Sequence, residues 1–143
     1  MAVDSNAGFR YMGTISGGFG ADPMVQKLKF KDDETLYKGD MVNAESGEAD
    51  LAATGDTAFL GIAMETKTGV DSTTEIEVIC NPDAIYAVYD ANARTIGTLL
   101  DLTGAAGAQG VTTSSNGNFV VVANSGADEW TLVRITSTAH ALA

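Results

Sequence analysis

The apolar residues of this chain come in short runs that alternate with polar ones, and the runs are separated by glycine, Asn-Gly or Gly-Asp. A period of two is the spacing of a half-buried β-strand, whereas an amphipathic helix repeats its apolar positions every three to four residues. Leu28 and Phe30 alternate with Lys27, Lys29 and Lys31, a face expected to be solvated. Ala58, Leu60, Ile62 and Met64 alternate with Phe59, Gly61 and Ala63. Ile76, Val78 and Cys80 alternate with Glu75, Glu77 and Ile79, which places the thiol on an apolar face and the two glutamates opposite. "AIYAVYD" (84–90), "TIGTLLDL" (95–102), "NFVVVA" (118–123) and "WTLVRIT" (130–136) are rich in β-branched and aromatic residues. Asn116-Gly117 precedes the third of these, and "NSGADE" (124–129) separates it from the fourth, which predicts a C-terminal hairpin. Val120 and Val122 interleave with Phe119 and Val121, the pattern of a strand covered on both faces. The count of 16 glycines against 2 prolines agrees with many tight turns. Only "SGEADLAATGD" (46–56) contains good helix formers, and between its glycines there is room for one helical turn.

These patterns predict an all-β protein, a compact antiparallel β-barrel or sandwich spanning residues 25–136. A glycine-rich extended arm, residues 1–24, precedes it, and a short tail, 137–143, follows. Within the arm, "GFRYMGTISGGFGADP" (8–23) combines glycines, which make ordering costly in entropy, with Phe9, Arg10, Tyr11, Met12, Ile15 and Phe19. Spaced aromatics of this kind predict an arm that orders on a partner, with those six residues as the contacts. Fully extended, such an arm reaches about 65 to 70 Å.

The chemistry the chain lacks narrows its function. A net charge of −11 argues against a nucleic-acid surface, which needs clustered Lys and Arg. The longest apolar runs, such as Phe119–Ala123, fall far short of the roughly 18 residues of a membrane-spanning helix, so no membrane partner is expected. Met1–Asp4 has neither the basic nor the apolar region of a secretory signal, so the chain is read as intracellular when made. Cys80 is the one cysteine, and His140, in "STAHALA", is the one histidine, read as a residue of a disordered tail. Together they supply neither a disulfide, nor a zinc set, nor a nucleophilic triad. Asp32-Asp33-Glu34 lacks the spacing of an EF-hand loop and reads as a solvated turn, although carboxylates are numerous enough to leave a calcium site or a small carboxylate-dependent hydrolase open. "GAAGAQG" (104–110) is not a phosphate loop and reads as a flexible connection, while Trp130, Tyr86 and Tyr89 read as core or interface. No catalytic, cofactor or metal site is predicted, and the reading is a binding or structural module.

The order of "LYKGDMVNAES", "TGDTAFLGIAMETKTG", "TTEIEVICNPDAIYAVY", "TIGTLLDLTGAAGAQGV" and "GNFVVVANSGADEWTLVRI" resembles the small capsid decoration, or cement, proteins of tailed bacteriophages over Leu36 to Ile135. The resemblance implies a β-barrel or sandwich on the outer surface of the virion. It implies the major capsid protein as partner, whose subunits it staples together, and self-association as a trimer or with neighbouring copies. It implies no cofactor and no catalysis. Other phage structural β-modules, tail-tube or fibre subunits, fit the same profile. An acidic exterior favours solubility for a protein that faces away from packaged DNA.

Overall fold

The protein was studied as a computed structural model, which describes residues 7–30, 34–70, 73–114 and 116–142. Among them there is no helix. The strands in chain order are β1 (Phe9–Thr14), β2 (Gly18–Phe19), β3 (Val25–Lys29), β4 (Thr35–Leu36), β5 (Met41–Glu45), β6 (Glu48–Leu51) and β7 (Phe59–Ile62). They continue with β8 (Lys67–Thr68), β9 (Glu75–Ile79), β10 (Ala84–Asp90), β11 (Leu99–Thr103), β12 (Gly110–Thr113), β13 (Phe119–Val121) and β14 (Glu129–Ile135). An open antiparallel sheet in the order β12-β11-β13-β14-β10-β1-β2 forms one layer. The three-stranded sheet β6-β5-β7 and the ribbons β3-β9 and β4-β8 supply the rest. The result is sandwich-like, and the sheet does not close into a barrel.

Two apolar clusters join these layers. In the first, Phe9, Tyr86, Val88, Leu100, Phe119, Val133 and Ile135 of the large sheet meet Met41, Phe59, Ile62 and Ile79. The second, around Phe30, Leu36, Val42, Leu60, Ile76, Val78 and Cys80, sits among the smaller sheets. Two strands serve both: β7 gives Phe59 and Ile62 to the first and Leu60 to the second, and β9 gives Ile79 to the first and Ile76 and Val78 to the second. All four β7 residues are therefore buried. A large side chain buried this fully contributes roughly 1.5 to 3 kcal/mol, so these clusters hold the layers together.

Several expectations hold in the fold. The final hairpin pairs Phe119 with Ile135 and Val121 with Val133. Cys80 is buried, and Glu75 and Glu77 lie across from Lys29 and Lys27 on the outer side of the β3-β9 ribbon. Lys31, Asp32 and Asp33 lie outside the described residues.

Others are corrected. Of the expected arm, residues 1–6 lie outside the description, but Phe9–Thr14 is a strand inside the large sheet, paired with β10 from Phe9↔Val88 to Thr14↔Ala84. The i, i+2 spacing of Phe9 and Tyr11 is the period of a strand, and burial of Phe9 offsets the entropy cost of the glycines. The expected tail is also part of the fold: Phe59 N–H donates to Ala139 O (2.8 Å) and Ala141 N–H to Phe59 O (2.8 Å), which buries Ala139 and His140. Residues 46–56 contain no helical turn. Ser46 (φ 51°) and Gly47 (φ 80°) form a two-residue turn with positive φ at both positions, which sends the chain back as β6. The 104–110 connection is pinned down rather than loose. Gln109 is buried, its Oε1 accepts from Met41 N–H (2.6 Å) and its Nε2 donates to Ala52 O (3.1 Å).

Candidate docking surface

Five of the nine large apolar side chains exposed among the described residues come from one segment: Met12 (38% exposed), Ile15 (54%), Phe19 (68%), Met24 (46%) and Val25 (41%). Local structure explains why they point outward. β1 carries an extra residue between Tyr11 and Gly13, and this bulge takes Met12 out of the alternation that buries Phe9. β2 pairs with β1 only at Gly13↔Phe19 and Thr14↔Gly18, so Phe19 stands on a short edge strand at the end of the large sheet. Ile15 occupies the turn between them. That turn is fixed: Ile15 N–H donates to Asp83 O (2.9 Å), Ser16 Oγ–H to Asp83 Oδ2 (2.6 Å), and Gly17 N–H to Thr14 Oγ1 (2.8 Å). The Ser16 hydroxyl and N–H hold the Asp83 carboxyl below its ordinary range. Tyr11 O–H reaches across to Ala21 O (2.7 Å) and ties down the return of the chain. The apolar tip is thus presented on a fixed hairpin, with little further ordering needed on contact.

The six residues expected to touch a partner divide. Met12, Ile15 and Phe19 are exposed together on the hairpin. Phe9 is a correction: it is 2% exposed, packed against Phe119 at 5.2 Å between ring centroids, and belongs to the chain's own core. Tyr11 is half-buried beside Tyr86. Arg10 lies on the opposite side of the sheet from Phe9, with its guanidinium 4.1 Å from the Trp130 ring centroid, and Trp130 in turn meets Tyr89 edge-on at 5.9 Å. Sequence reasoning did not single out Met24 and Val25. They follow Pro23 in a segment whose apolar residues carry no sign of which way they face.

Beside the hairpin, a cleft of about 600 Å³ opens between β1 and the end of β7. It is lined by buried Phe9, Ile62, Ala63 and Ile79, half-buried Tyr11 and Met64, and exposed Arg10 and Lys38. A second, smaller depression of about 290 Å³ gathers Lys27, Lys67, Glu65, Glu75 and Glu77, with Lys67 Nζ 3.1 Å from Glu65 Oε1.

Groups with reactive potential are turned inward. Tyr86 is fully buried, its hydroxyl has no hydrogen-bond partner, and burial pushes its pKa up. Burial likewise pushes the Cys80 thiol up, which keeps it protonated and unreactive. His140 is held below its ordinary pKa by burial, and its Nδ1 accepts from Leu142 N–H (3.0 Å). Asp40, 1% exposed, is raised by burial, while its carboxylate accepts from Tyr37 N–H (2.9 Å) and Gly107 N–H (3.0 Å) to close two loops. Asp101 likewise ties Ser114 and Gly117 to β11, accepting from Ser114 Oγ–H (2.9 Å) and Gly117 N–H (2.8 Å). Among the described residues no three His, Cys, Asp or Glu side chains gather as a metal site, and no helix is long and apolar enough to cross a membrane.

No protein-family model matches the chain, and no curated protein matches it in sequence. Its fold is similar to that of the crystal structure of the head fiber gp8.5 N base in bacteriophage phi29. The TM-score is 0.51 at 16% sequence identity, over 81% of this chain and 98% of that one.

Proposed function

We propose that this chain is a structural protein of a tailed phage, seated on the outer surface of the capsid, where it binds the major capsid protein and strengthens contacts between its subunits. The observation that carries the reading is the likeness of fold to the phi29 head fiber base, over nearly the whole of that chain. The fixed hairpin with Met12, Ile15 and Phe19 exposed supplies a surface suited to such a partner. Neighbouring copies or a trimer present this hairpin repeatedly, and many equivalent weak contacts acting in parallel hold a shell that one contact would not. The role needs no cofactor and no catalysis.

A second reading, the base of a fibre projecting from the head, is favoured by the name of the same structural neighbour. Copy number separates the two. Particles purified from the source of this gene, with the chain quantified against the major capsid protein by mass spectrometry, yield a simple high ratio for a decoration protein and a far lower one for a fibre base. Absence from the particle refutes both. Co-sedimentation with expanded shells then tests the hairpin: Ile15→Asp with Phe19→Asp abolishes binding at unchanged melting temperature. Undiminished binding by this variant removes the hairpin from the interface.

A further inference from the structure

Resting on the capsid reading only for the setting in which copies meet, we propose that the outward face of the large sheet, centred on Leu132 of β14, is a contact between two copies of this chain packed face to face. An antiparallel sheet with a layer on one side normally alternates apolar inward and polar outward. β10, β14 and β13 depart from that pattern. Their inward residues, such as Tyr86, Val133 and Phe119, belong to the first apolar cluster. On the outward side Ala87 pairs with Leu132, Tyr89 with Trp130, Val120 with Arg134, and Leu99 of β11 with Val120. Arg134 is the only charged residue in these pairs, and none of the apolar ones belongs to either cluster or packs against it. Leu99 is 49% exposed, and Val120, Leu132 and Trp130 are half-buried. The two-sided apolar pattern of residues 119–122 is thus covered on one side only among the described residues.

A second copy fits this face in charge, shape and size. With 19 acidic residues and a net charge of −11, the chain repels another copy over most of its surface. The outward positions of β10, β14 and β13 hold no Asp or Glu. The cations beside them are engaged within the chain: the Arg10 guanidinium lies 4.1 Å from the Trp130 ring centroid, and the charge of Arg134 helps to lower the Asp83 carboxyl. In shape, Ala87 is 5% exposed and lies beside the larger Leu132, a hollow next to a knob. A two-fold contact sets the Leu132 of each copy over the Ala87 of the other, with the sheets about 10 Å apart. The five adjacent strands from β11 to β1, spaced about 4.8 Å, present roughly 500 Å² over about 20 Å of strand, so two copies bury about 1,000 Å². That is the lower limit of a specific interface, suited to copies crowded on one surface. Leu132 lies three strands in from β2, so a copy seated there leaves the hairpin to the capsid.

Sedimentation equilibrium of the free, full-length protein reads this contact without any shell. The wild type passes from monomer to dimer with a midpoint on the order of 100 µM. Leu132→Asp raises that midpoint at least about tenfold. Val70→Asp makes the same charge change at a side chain 56% exposed and outside the large sheet, and it leaves the midpoint within about twofold. Melts by circular dichroism check that both variants fold. Crosslinking gives a separate reading, because Cys80 is the one cysteine and is buried. Residues at the centre of a two-fold contact meet their own copies, so oxidised Leu132→Cys forms a disulfide-linked dimer and Val70→Cys does not. A wild type that stays monomeric up to about 1 mM overturns the inference and leaves the capsid reading standing. Equal weakening by both aspartate variants overturns it, since charge rather than the face is then the cause, and so does a Leu132→Cys variant that fails to crosslink where the wild type dimerises. A Leu132→Asp variant that dimerises normally but no longer co-sediments with expanded shells makes the capsid protein the occupant instead. Oligomers lost with Ile15→Asp and Phe19→Asp but kept with Leu132→Asp place the hairpin in the contact and overturn the inference as well. Absence of the chain from the particle refutes the capsid reading alone, and dimerisation through Leu132 then still stands.

Discussion

Gly61 sits where the two apolar clusters share β7, and replacing it with alanine tests whether that shared strand holds the layers together. A Cβ there lies 1.8 Å from Ile79 O and 2.5 Å from the Tyr86 hydroxyl oxygen, and the backbone φ is +152°. A carbon needs at least about 3 Å from such an oxygen, so β7 and β9 have to part by more than an ångström. The obstruction is backbone, which cannot swing aside. Strain at this φ costs about 1 to 3 kcal/mol and overpacking of the core about the same again, which gives roughly 4 kcal/mol in all. For a domain of this size, that lowers the melting temperature by roughly 12 to 20 °C. Two further substitutions separate the causes. Gly47→Ala has a positive φ (80°) but open space around it, and costs about 1 kcal/mol. Gly55→Ala has neither constraint and stays within about 0.5 kcal/mol of wild type. Thermal melts by circular dichroism read all three. A Gly61→Ala melting point within about 3 °C of wild type, or above that of Gly47→Ala, refutes the reasoning.

The remaining predictions concern the buried polar groups. His140 is neutral in the fold because burial lowers its pKa, so the unfolded chain takes up the proton first. Stability is therefore lost as pH falls through the ordinary value of 6.5, and the loss levels off only below the lowered folded value. His140→Gln flattens the melting temperature between pH 7 and 5, and an unchanged slope in that variant places the effect elsewhere. Arg94 Nε lies 2.5 Å from Asp90 Oδ2, with side chains 10% and 3% exposed. Arg94→Met leaves a buried carboxylate without its cation and costs about 3 kcal/mol in urea denaturation, and adding Asp90→Asn recovers more than half of that. If the double variant is no more stable than the single, packing rather than charge is responsible. Cys80 reacts with a thiol reagent only as fast as the protein unfolds, because it is buried and its pKa is raised. Labelling within seconds under native conditions contradicts that burial.

What the chain's own pattern determined is its class and much of its chemistry. Alternation in 75–80 and 119–135 marks strands whatever they pair with, because a period of two gives one buried face in any sheet. Local turn chemistry likewise marked the final hairpin. The absence of a histidine-cysteine constellation followed from composition, since one of each cannot build such a site. Tertiary structure alone decided which face of β1 is core. Phe9 and Phe19 are both phenylalanines beside glycines, yet one is 2% and the other 68% exposed, because β10 lies beside the first and the sheet ends at the second. The same holds at the other terminus, where His140 is buried only because the edge of β7 is free to take Ala139 and Ala141 as partners. The cleft is the clearest case. Tyr11 and Lys38 are separated in sequence and line one cleft because Phe9 N–H bonds to Gly39 O, a long-range contact that no local periodicity encodes.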